Sequence, residues 1–593
     1  MKILLTAINA KYIHSNPAVY SLRAYAGEKL IPHLEIAEYT INHNMEDILA
    51  DLYRKRPDVI TFSCYIWNWN MISALVCELP KILKNVPIWL GGPEVSFDPE
   101  ELLEKYPMVT GIMVGEGEET FQELAEYYCE DIDMPGRKKT LEDIHGIVFR
   151  VQAPLLSDTQ IRRTPPRELT DISKLPFLYQ NLEPFTNRIL YYESSRGCPF
   201  RCSYCLSSID KQVRLRDIDI VKKELQFFLD HKVKQVKFVD RTFNCNHEHA
   251  REIWEYLQKN DNGVTNFHFE VAADLLSEEE LKILAGMRPG LIQLEIGVQT
   301  LNADTLQEIR RTADIPKLKD AVWRLKSGRN IHVHLDLIAG LPYEDYESFQ
   351  ESFNGVYAMK PDQLQLGFLK VLKGSYMCEK AAEYAISYTD LPPYEVLSTK
   401  WLPYEKLLLL KQVEEMVEIY YNSNQFTYTL PVLQTAFSDA FTMYLNLADF
   451  YRKQGYSLVT PSRSYRYQAL LHFAMNTELS KQEDMFRQLL TFDLYLRENL
   501  KSRPDFAKDL TPYKDRIRSF YQKEETDRCC LPDYADYDSR QLSRMTHMEV
   551  FDYPVWEADI AGRMQKLDTP RMVLFDYQTR DALTYEAKYA VIP

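Results

Sequence analysis

The stretch Gly197-Cys198-Pro199-Phe200-Arg201-Cys202-Ser203-Tyr204-Cys205 places three cysteines in one loop, directly after a predicted strand. A tetrahedral zinc site or a closed iron–sulfur cluster takes four protein ligands, whereas this loop supplies three thiolates. One metal position is therefore left open for another ligand. The alternatives are a structural zinc site completed by a distant residue, or reduced cysteines packed in a core.

The residues around this loop show regular β/α alternation. Strand candidates lie at 189–194, 235–239, 266–271, 292–297, 332–338 and 363–369, and helical patterns separate them. Six such units over residues 186–378 predict a partial (β/α) barrel, whose reactive face lies at the carboxyl ends of the strands.

A second α/β unit precedes the barrel. Short apolar runs at 2–9, 34–41, 58–66, 86–92 and 111–115 alternate with helical patterns over residues 1–130. Near-continuous apolar strands separated by helices predict a doubly wound parallel sheet, which binds ligands beyond the carboxyl ends of its strands. At these carboxyl ends the chain carries Asn9, Ser63 and two glycine turns. The alternative is that the glycine turns only connect a strand to the next helix.

The remaining sequence forms a linker and a C-terminal region. Residues 131–185 are charged and proline-containing, with one predicted hairpin at 146–152 and 160–164. Residues 379–593 are predicted to form a mainly helical domain, with helical spacing at 404–421 and 465–499 and strand-like runs at 571–577 and 587–592.

Composition limits the function classes. A chain of 593 residues, 45% hydrophobic and 26% charged, is expected to fold into about three or four domains. A net charge of −16 disfavours general nucleic-acid binding. No apolar stretch of about 18 residues predicts a membrane span. The cysteine pattern does not suggest disulfides, so we expect a cytoplasmic protein.

Two motifs resemble known families. The C-x3-C-x2-C spacing after a strand resembles the radical S-adenosylmethionine superfamily. The N-terminal order of β-run, Gly-Gly-Pro-Glu-Val-Ser and Val-Gly-Glu-Gly-Glu-Glu-Thr-Phe resembles the cobalamin-binding domain that precedes many such barrels. The tail resembles an uncharacterised domain found on some cobalamin-linked radical enzymes. The expected fold is α/β, with a doubly wound cobalamin-binding domain, a partial (β/α)6 barrel and a helical C-terminal domain.

The first resemblance implies a cofactor site at the barrel mouth. Cys198, Cys202 and Cys205 would ligate a [4Fe–4S] cluster whose open iron binds S-adenosylmethionine. The predicted S-adenosylmethionine-binding residues are Tyr204, Val239, Asp240, Arg241, Glu270, Glu295, Gln299, Thr300 and Gly340. The alternative for Asp240 and Arg241 is an ion pair on the protein surface. The alternative for Glu270 and Glu295 is a hydrogen-bond network within the protein.

The second resemblance implies a cobalamin site. The predicted residues are Asn9, Ser63, Tyr65, Gly91, Gly92, Pro93, Gly115, Glu116 and Gly117. Tyr65, Trp67 and Trp69 would cover one corrin face, or else pack in a core. The D-x-H-x-x-G motif that supplies an axial histidine is absent, because Tyr12 and Pro17 stand at its aspartate and glycine positions beside His14. The cobalt is therefore expected to lack a strong protein ligand.

Together these features imply a cobalamin-dependent radical S-adenosylmethionine enzyme. The first expectation is methylation of an unactivated carbon through a 5′-deoxyadenosyl radical and methylcobalamin, with a flavodoxin- or ferredoxin-type electron donor and a small-molecule or peptide substrate. The alternatives are a cobalamin-assisted rearrangement or oxidation, tRNA methylthiolation, and a non-enzymatic cobalamin sensor. The N-terminal domain lacks the cysteine trio that a methylthiolating enzyme would need for its second cluster.

Overall fold

The computed structural model describes residues 1–129, 140–151, 160–456, 462–500, 502–557 and 564–592. The predicted linker begins at Asp131, and the first strand of the predicted hairpin ends at Gln152. Both of these residues lie outside the described residues. None of the described helices is both long and apolar enough to cross a membrane.

The N-terminal domain is a seven-stranded sheet with helices on both faces. Its strands are β1 Ile3–Asn9, β2 Leu34–Thr40, β3 Val59–Ser63, β4 Ile88–Gly91, β5 Gly111–Met113, β6 Ile147–Val151 and β7 Gln160–Arg163, in the spatial order β2-β1-β3-β4-β5-β6-β7. Its helices are α1 Pro17–Tyr25, α2 Met45–Lys55, α3 Trp69–Ile82, α4 Pro99–Lys105 and α5 Glu118–Cys129. One apolar cluster joins the sheet to α2, α3 and α4, and another joins it to α1 and α5, which confirms the doubly wound sheet.

The predicted hairpin is part of this sheet rather than a free connector. Strand β6 pairs antiparallel with β5, and β7 pairs antiparallel with β6. An exposed edge of a parallel sheet leaves backbone N–H and C=O groups unpaired, and the hairpin satisfies them. The linker sequence therefore completes the N-terminal sheet before it enters the barrel.

The central domain is the predicted partial barrel. Its elements are β8 Leu190–Tyr192, β9 Ser195–Arg196, β10 Arg214–Leu215, α6 Ile218–Asp230, β11 Gln235–Phe238, α7 His247–Lys259, β12 Asn266–Val271, α8 Glu278–Ala285, β13 Ile292–Gln299, α9 Ala303–Glu308, α10 Ile315–Ser327, β14 His332–Ala339, α11 Tyr346–Tyr357 and β15 Gln363–Phe368. Six parallel strands follow the order β15-β14-β13-β12-β11-β8. All six strand predictions are confirmed to within about two residues at each end.

The C-terminal domain is mainly helical. Its elements are α12 Tyr376–Lys380, β16 Ser387–Tyr388, β17 Val396–Ser398, α13 Tyr404–Met416, α14 Thr429–Gln434, α15 Ala440–Gln454, α16 Arg463–Ala474, α17 Glu483–Arg497, α18 Lys514–Asp527, α19 Ser539–Met545, β18 Thr546–Phe551, β19 Arg571–Arg580 and β20 Ala587–Ile592. The helical run predicted at 465–499 is two helices, and the last strands form the antiparallel sheet β18-β19-β20.

The C-terminal domain covers one edge of the barrel. After a π-helical turn at Val417–Tyr421, the side chain of Asn422 accepts from the backbone N–H of Leu364 at 2.9 Å and donates to its carbonyl at 2.8 Å. Leu364 lies on β15, the edge strand of the barrel sheet. The amide of Asn422 thus takes the place of a neighbouring strand at this position.

We predict that Gly92→Ala unfolds the N-terminal domain more readily than a matched glycine substitution. Gly92 has φ +112°, and a Cβ there would lie 2.5 Å from the carbonyl oxygen of Cys64. Gly27 also has a positive φ, +86°, but a Cβ there meets open space. We expect Gly27→Ala to lower the free energy of unfolding by about 1 kcal/mol and Gly92→Ala by about 3 kcal/mol or more. Equal shifts in the first thermal unfolding transition of the two variants would contradict this account.

Candidate functional site

The cysteine loop is closed at its base by a short hairpin. Strands β9 and β10 pair antiparallel, with Arg196 opposite Arg214. Gly197 has φ +97°, and a Cβ there would lie 2.4 Å from the carbonyl oxygen of Gln212. The backbone N–H of Cys198 donates to the Asp210 carbonyl at 3.1 Å. The glycine before the first cysteine therefore allows the two sides of the loop to meet.

The three cysteines are not gathered around the position of a single metal ion. Cys198 and Cys202 are 8% and 7% exposed, and Cys205 is half-buried. The three Sγ atoms do not all lie within 4.8 Å of one another. Thiolates around a single tetrahedral zinc ion would lie about 3.8 Å apart, given a Zn–S bond of about 2.3 Å. An iron–sulfur cluster spaces its thiolates more widely because each binds a different iron.

Two polar side chains contact the cysteine sulfur atoms. Nη1 of Arg311 lies 3.7 Å from Sγ of Cys202, and Oγ1 of Thr242 lies 3.7 Å from Sγ of Cys198. Arg311 also donates to the Gly297 carbonyl at the end of β13. Burial raises the pKa of the Cys202 thiol, and the Arg311 guanidinium opposes this rise. Charge and hydrogen bonds at the sulfurs tune the potential of a bound cluster.

Arg311 is a residue that the sequence analysis missed. It follows α9 in the run Glu308-Ile309-Arg310-Arg311, which reads as an ordinary charged helix end. Its guanidinium also opposes the burial that raises the pKa of Tyr204, the aromatic residue between the second and third cysteines. The sequence gives no signal that one of two adjacent arginines reaches the cysteines.

The N-terminal domain holds the hairpin in place through ion pairs. Nη1 of Arg214 donates to Oε2 of Glu116 at 3.0 Å, and Nη2 of Arg196 donates to Oε1 of Glu118 at 2.9 Å. The backbone N–H of Thr170 also donates to Oε2 of Glu116, at 2.8 Å. Although burial raises the pKa of Glu116, the two arginines and this N–H lower it to about 2. Glu116, a predicted cobalamin-binding residue, is thus a contact to the cysteine hairpin.

Asp240 is part of the framework beneath the hairpin. Its side chain is 0% exposed and accepts hydrogen bonds from the backbone N–H of Ser194 at 3.0 Å and from the hydroxyls of Ser194 and Ser195 at 2.7 and 2.6 Å. Burial raises its pKa to about 6. These bonds join the end of β11 to the strand that leads into the cysteines. The carboxylate of Asp240 is thus used within the protein, whereas its neighbour Arg241 is exposed.

Two further predicted residues face the protein rather than an open site. The hydroxyl of Thr300 donates to Oε1 of Glu344 at 2.6 Å and accepts from the backbone N–H of Asn302 at 2.9 Å. Gly340 packs against the C-terminal domain, because a Cβ there would lie 2.8 Å from Cγ1 of Val396. The contact with Val396 accounts for the glycine without a contact to S-adenosylmethionine.

Three predicted carboxamide and carboxylate side chains lie on the inner face of the barrel. Glu270 on β12 and Glu295 on β13 are paired in the strand register. Burial and the charge of Glu295 raise the pKa of Glu270 to about 7. Gln299 has φ +71°, and its buried Oε1 has no hydrogen-bond partner among the described residues. Strained backbone and an unsatisfied buried acceptor are features of ligand sites.

A cavity of about 520 Å³ lies where the carboxyl ends of both sheets meet. The N-terminal domain contributes Asn9 and Tyr65, and the barrel contributes Val239 and Arg241. The segment 175–179 adds a mainly apolar wall. This volume is in the range of ligand pockets, which lie at domain interfaces and at strand carboxyl ends.

The predicted cobalamin residues divide into two groups. Asn9 and Tyr65 line the cavity, and the ring of Tyr65 stacks on Trp67 with centroids 4.3 Å apart. The others do not line it: Ser63, Gly91, Gly92, Pro93, Gly115, Glu116 and Gly117. Ser63 accepts from Asn16 Nδ2 at 3.4 Å, close behind the cavity wall.

His14 lies at the junction of the two domains. Its Nδ1 is 2.6 Å from the hydroxyl of Tyr191 on the inner face of β8, and both residues line the cavity. Burial lowers the pKa of His14. The imidazole of His14 is therefore bonded to the barrel through Nδ1.

Comparisons with known proteins identify the domains. The profile of the B12 binding domain matches residues 3–125, and that of the Radical SAM superfamily matches residues 192–354. The protein is therefore a radical S-adenosylmethionine enzyme with an N-terminal B12-binding domain. Its C-terminal residues 382–575 match a family described as a protein of unknown function, DUF4080. The two named domains confirm the expected cofactors: cobalamin, S-adenosylmethionine and an iron–sulfur cluster.

The chain is also similar to curated proteins and to solved structures. The chain is 24% identical over 346 residues to an uncharacterized methyltransferase of Pyrococcus horikoshii, covering 56% of this chain and 72% of the relative. It is 22% identical over 490 residues to the cobalamin-dependent radical SAM methyltransferase TokK of Streptomyces tokunonensis, covering 78% and 69%. The structure of the methyltransferase TsrM from Kitasatospora setae matches with a TM-score of 0.52 at 17% identity, covering 66% of this chain and 79% of that one. This last likeness establishes the fold.

We predict that Glu116→Gln weakens retention of the cluster. Breaking its ion pairs leaves Arg214 and Arg196 partly uncompensated, at a cost of about 2–4 kcal/mol, and loosens the hairpin. Iron release from the reconstituted protein to a ferrous chelator should be about tenfold faster or more. Glu101→Gln, on the exposed side of α4, is the control and should release iron at the wild-type rate. Equal release rates in the two variants would show that the ion pairs do not hold the loop.

Proposed function

We propose that the protein is a cobalamin-dependent radical S-adenosylmethionine methyltransferase that methylates an unactivated carbon. The observation that carries this proposal is the shared cavity, because residues of the B12-binding domain and of the barrel mouth line one space. A methyl carrier and a radical source acting on one carbon must face the same substrate. The names of the relatives TokK and TsrM support the same class.

The donor sets fit the cofactors. Cys198, Cys202 and Cys205 would hold the cluster, with Arg311 offsetting thiolate charge. The unsatisfied Oε1 of Gln299 and the carboxylate of Glu270 are acceptors for the hydroxyl groups of S-adenosylmethionine. Glu270 acts as a hydrogen-bond acceptor when it is ionised and as a donor when it is protonated.

The corrinoid would lie over the carboxyl edge of the N-terminal sheet. Tyr65, stacked on Trp67, offers an aromatic face to the cavity, and Asn9 offers a polar edge that is already held by Glu38 at 2.9 Å. When bound, the cluster supplies an electron to S-adenosylmethionine and the corrinoid carries the methyl group. The apolar wall at 175–179 limits water beside the reacting carbon. Flavodoxin or ferredoxin is the class of electron donor that such a cluster needs.

The products distinguish methylation from other radical chemistry. The anaerobically reconstituted protein, with about four irons and one corrinoid per chain, is incubated with methyl-labelled S-adenosylmethionine, a reductant and fractions of an anaerobic cell extract. We expect 5′-deoxyadenosine and S-adenosylhomocysteine together, with label in one extract component. Cys202→Ala should abolish 5′-deoxyadenosine formation. Sustained 5′-deoxyadenosine without S-adenosylhomocysteine or label transfer would reject methylation and favour a rearrangement or oxidation.

We predict that binding of S-adenosylmethionine strengthens with pH through neutrality. The pKa of Glu270 is raised to about 7, so the accepting carboxylate forms as the pH rises from 6 to 8. The dissociation constant should fall about fivefold to tenfold over this range. Glu270→Gln should remove this dependence, as measured by anaerobic equilibrium dialysis.

The control for this pH dependence is a second buried acid with a similar pKa. Burial raises the pKa of Glu344 to about 7, and its carboxylate is bonded to Thr300 and Ser352. Glu344→Gln should keep the pH dependence of binding. If Glu344→Gln flattens the profile and Glu270→Gln does not, Glu270 is not the group that titrates.

A further inference from the structure

The outer side of the cysteine loop is held by two domains. The backbone N–H of Ser203 donates to the Ile309 carbonyl at 2.9 Å, and the carbonyl of Ser203 accepts from the N–H of Met377 at 2.8 Å. Ile309 follows α9 of the barrel, and Met377 lies on α12 of the C-terminal domain. The end of α9 and the start of α12 therefore lie against the loop that would hold the cluster.

Exposed cations lie on this loop and on the segments beside it. They are Arg201 within the loop, Lys211 before β10, Arg310 after α9, and Lys400 before α13. None of the four forms an ion pair with another described residue. A cation left exposed and unpaired is available to a partner of opposite charge.

Two of the neighbouring carboxylates are already bonded within the protein. Asp210 accepts from Nη2 of Arg214 at 2.9 Å, and Glu308 accepts from the hydroxyl of Tyr384. The exposed Glu379 on α12 offsets one of the four cations. The whole chain has a net charge of −16, so a group of unpaired cations beside the cysteines is opposite in sign to the molecule.

Aromatic rings continue the surface away from the loop. The guanidinium carbon of Arg310 lies 3.5 Å from the ring centroid of Tyr376. The ring centroid of Trp401 lies 6.0 Å from that of Tyr384 and 4.6 Å from that of Tyr343. Arginine, tyrosine and tryptophan are the residue types enriched in the cores of protein–protein interfaces. The composition of this surface is therefore typical of a docking site.

Tyr343 is held in a strained and exposed position. Its φ is +65°, which is uncommon for a residue with a bulky side chain. Tyr343 is also 47% exposed, so burial of its ring in the core does not account for the strain. Strained backbone is found where a residue is positioned for a ligand or partner. The ring stacked on Trp401 is presented to the outside of the molecule.

We propose that this surface docks an acidic electron carrier of the flavodoxin type, which reduces the cluster. The proposal rests on the proposed function, because that function requires an external electron donor. The cations attract the acidic carrier, and the aromatic rings receive the apolar edge of its flavin. Redox partners use small interfaces, so a surface of this extent is sufficient. The donor patch consists of Arg201, Lys211, Arg310, Tyr343, Tyr376, Lys400 and Trp401.

One electron crosses the donor patch. The anionic flavin hydroquinone loses the electron and becomes the neutral semiquinone, while the cluster passes from [4Fe–4S]²⁺ to [4Fe–4S]⁺. No bond forms or breaks, and no proton is transferred. Arg201 belongs to the cysteine loop itself, so a carrier bound there lies beside the cluster ligands. The C-terminal domain contributes Tyr376, Lys400 and Trp401, which gives the domain of unknown function a part in electron delivery.

Reduction of the holoenzyme by a flavodoxin tests the donor patch. The reconstituted protein is mixed anaerobically with a bacterial flavodoxin in its hydroquinone form, and semiquinone formation is followed by stopped-flow absorbance. We expect a second-order rate constant that falls as the ionic strength rises, because salt screens the attraction. The double variant Lys211→Glu with Lys400→Glu should lower the low-salt rate constant about tenfold or more and weaken its dependence on salt.

The matched control reverses two lysines far from the cysteine loop. Lys29, between α1 and β2, and Lys234, before β11, are exposed at the amino-terminal edges of their sheets. Lys29→Glu with Lys234→Glu should keep the wild-type rate constant within about twofold. Tyr343→Asn removes the ring, and asparagine tolerates the positive φ. This variant should slow reduction about fivefold at low and high salt alike.

Dithionite separates docking from catalysis, because it reduces the cluster without a protein interface. With dithionite, all of these variants should form 5′-deoxyadenosine at the wild-type rate. Equal losses in the patch and control variants would show an effect of net charge alone and overturn the proposal. Wild-type rates in the patch variants would place the donor elsewhere. Reduction by a ferredoxin but not by flavodoxin would reject the flavin carrier. Wild-type protein that forms no 5′-deoxyadenosine even with dithionite would contradict the proposed function itself.

Discussion

The structure depends on the ion pairs that fix the cysteine hairpin against the N-terminal domain. Arg196 and Arg214 lie on the two strands that close the cysteine loop. Their carboxylate partners are Glu116 in the turn after β5 and Glu118 at the start of α5. All four side chains are at most one-fifth exposed. Burying the arginines without the glutamates, or the glutamates without the arginines, would therefore cost free energy. Docking of the two domains therefore adds to the contacts that fix the shape of the loop. This couples the cluster site to the domain that binds the corrinoid.

The docking also explains why one cavity serves both domains. Ligands of parallel α/β sheets bind at the carboxyl ends of the strands, and here two such ends face each other. His14 and Tyr191 bridge them on one side of the cavity. The C-terminal domain contacts the N-terminal domain away from the cavity lining, since Tyr394 donates to Glu94 in the loop after β4. A domain of unknown function thus has a structural role: it braces the turn that follows the Gly91-Gly92-Pro93 sequence.

The sequence predicted the elements of this fold well and the partners of its polar residues poorly. Apolar strand runs and the cysteine spacing are local signals, so the six barrel strands and the cluster loop could be located by inspection. Partners across domains leave no local signal. Gly340 is required by Val396, 56 positions away, and Glu116 is matched by Arg214, 98 positions away. Arg311 was missed for the same reason, because only the folded chain brings it to Cys202.

One informative pattern was nevertheless visible in the sequence. A strand buried on both faces of a parallel sheet should be a continuous apolar run, yet β14 reads His332-Val333-His334-Leu335-Asp336. Strict alternation means that one face packs on helices while the other carries polar groups into the barrel. Burying such groups costs free energy unless each finds a partner, and here Nε2 of His334 lies 2.9 Å from Oδ1 of Asp336. The same alternation on β12 extends the polar layer to Glu270 at the predicted S-adenosylmethionine site.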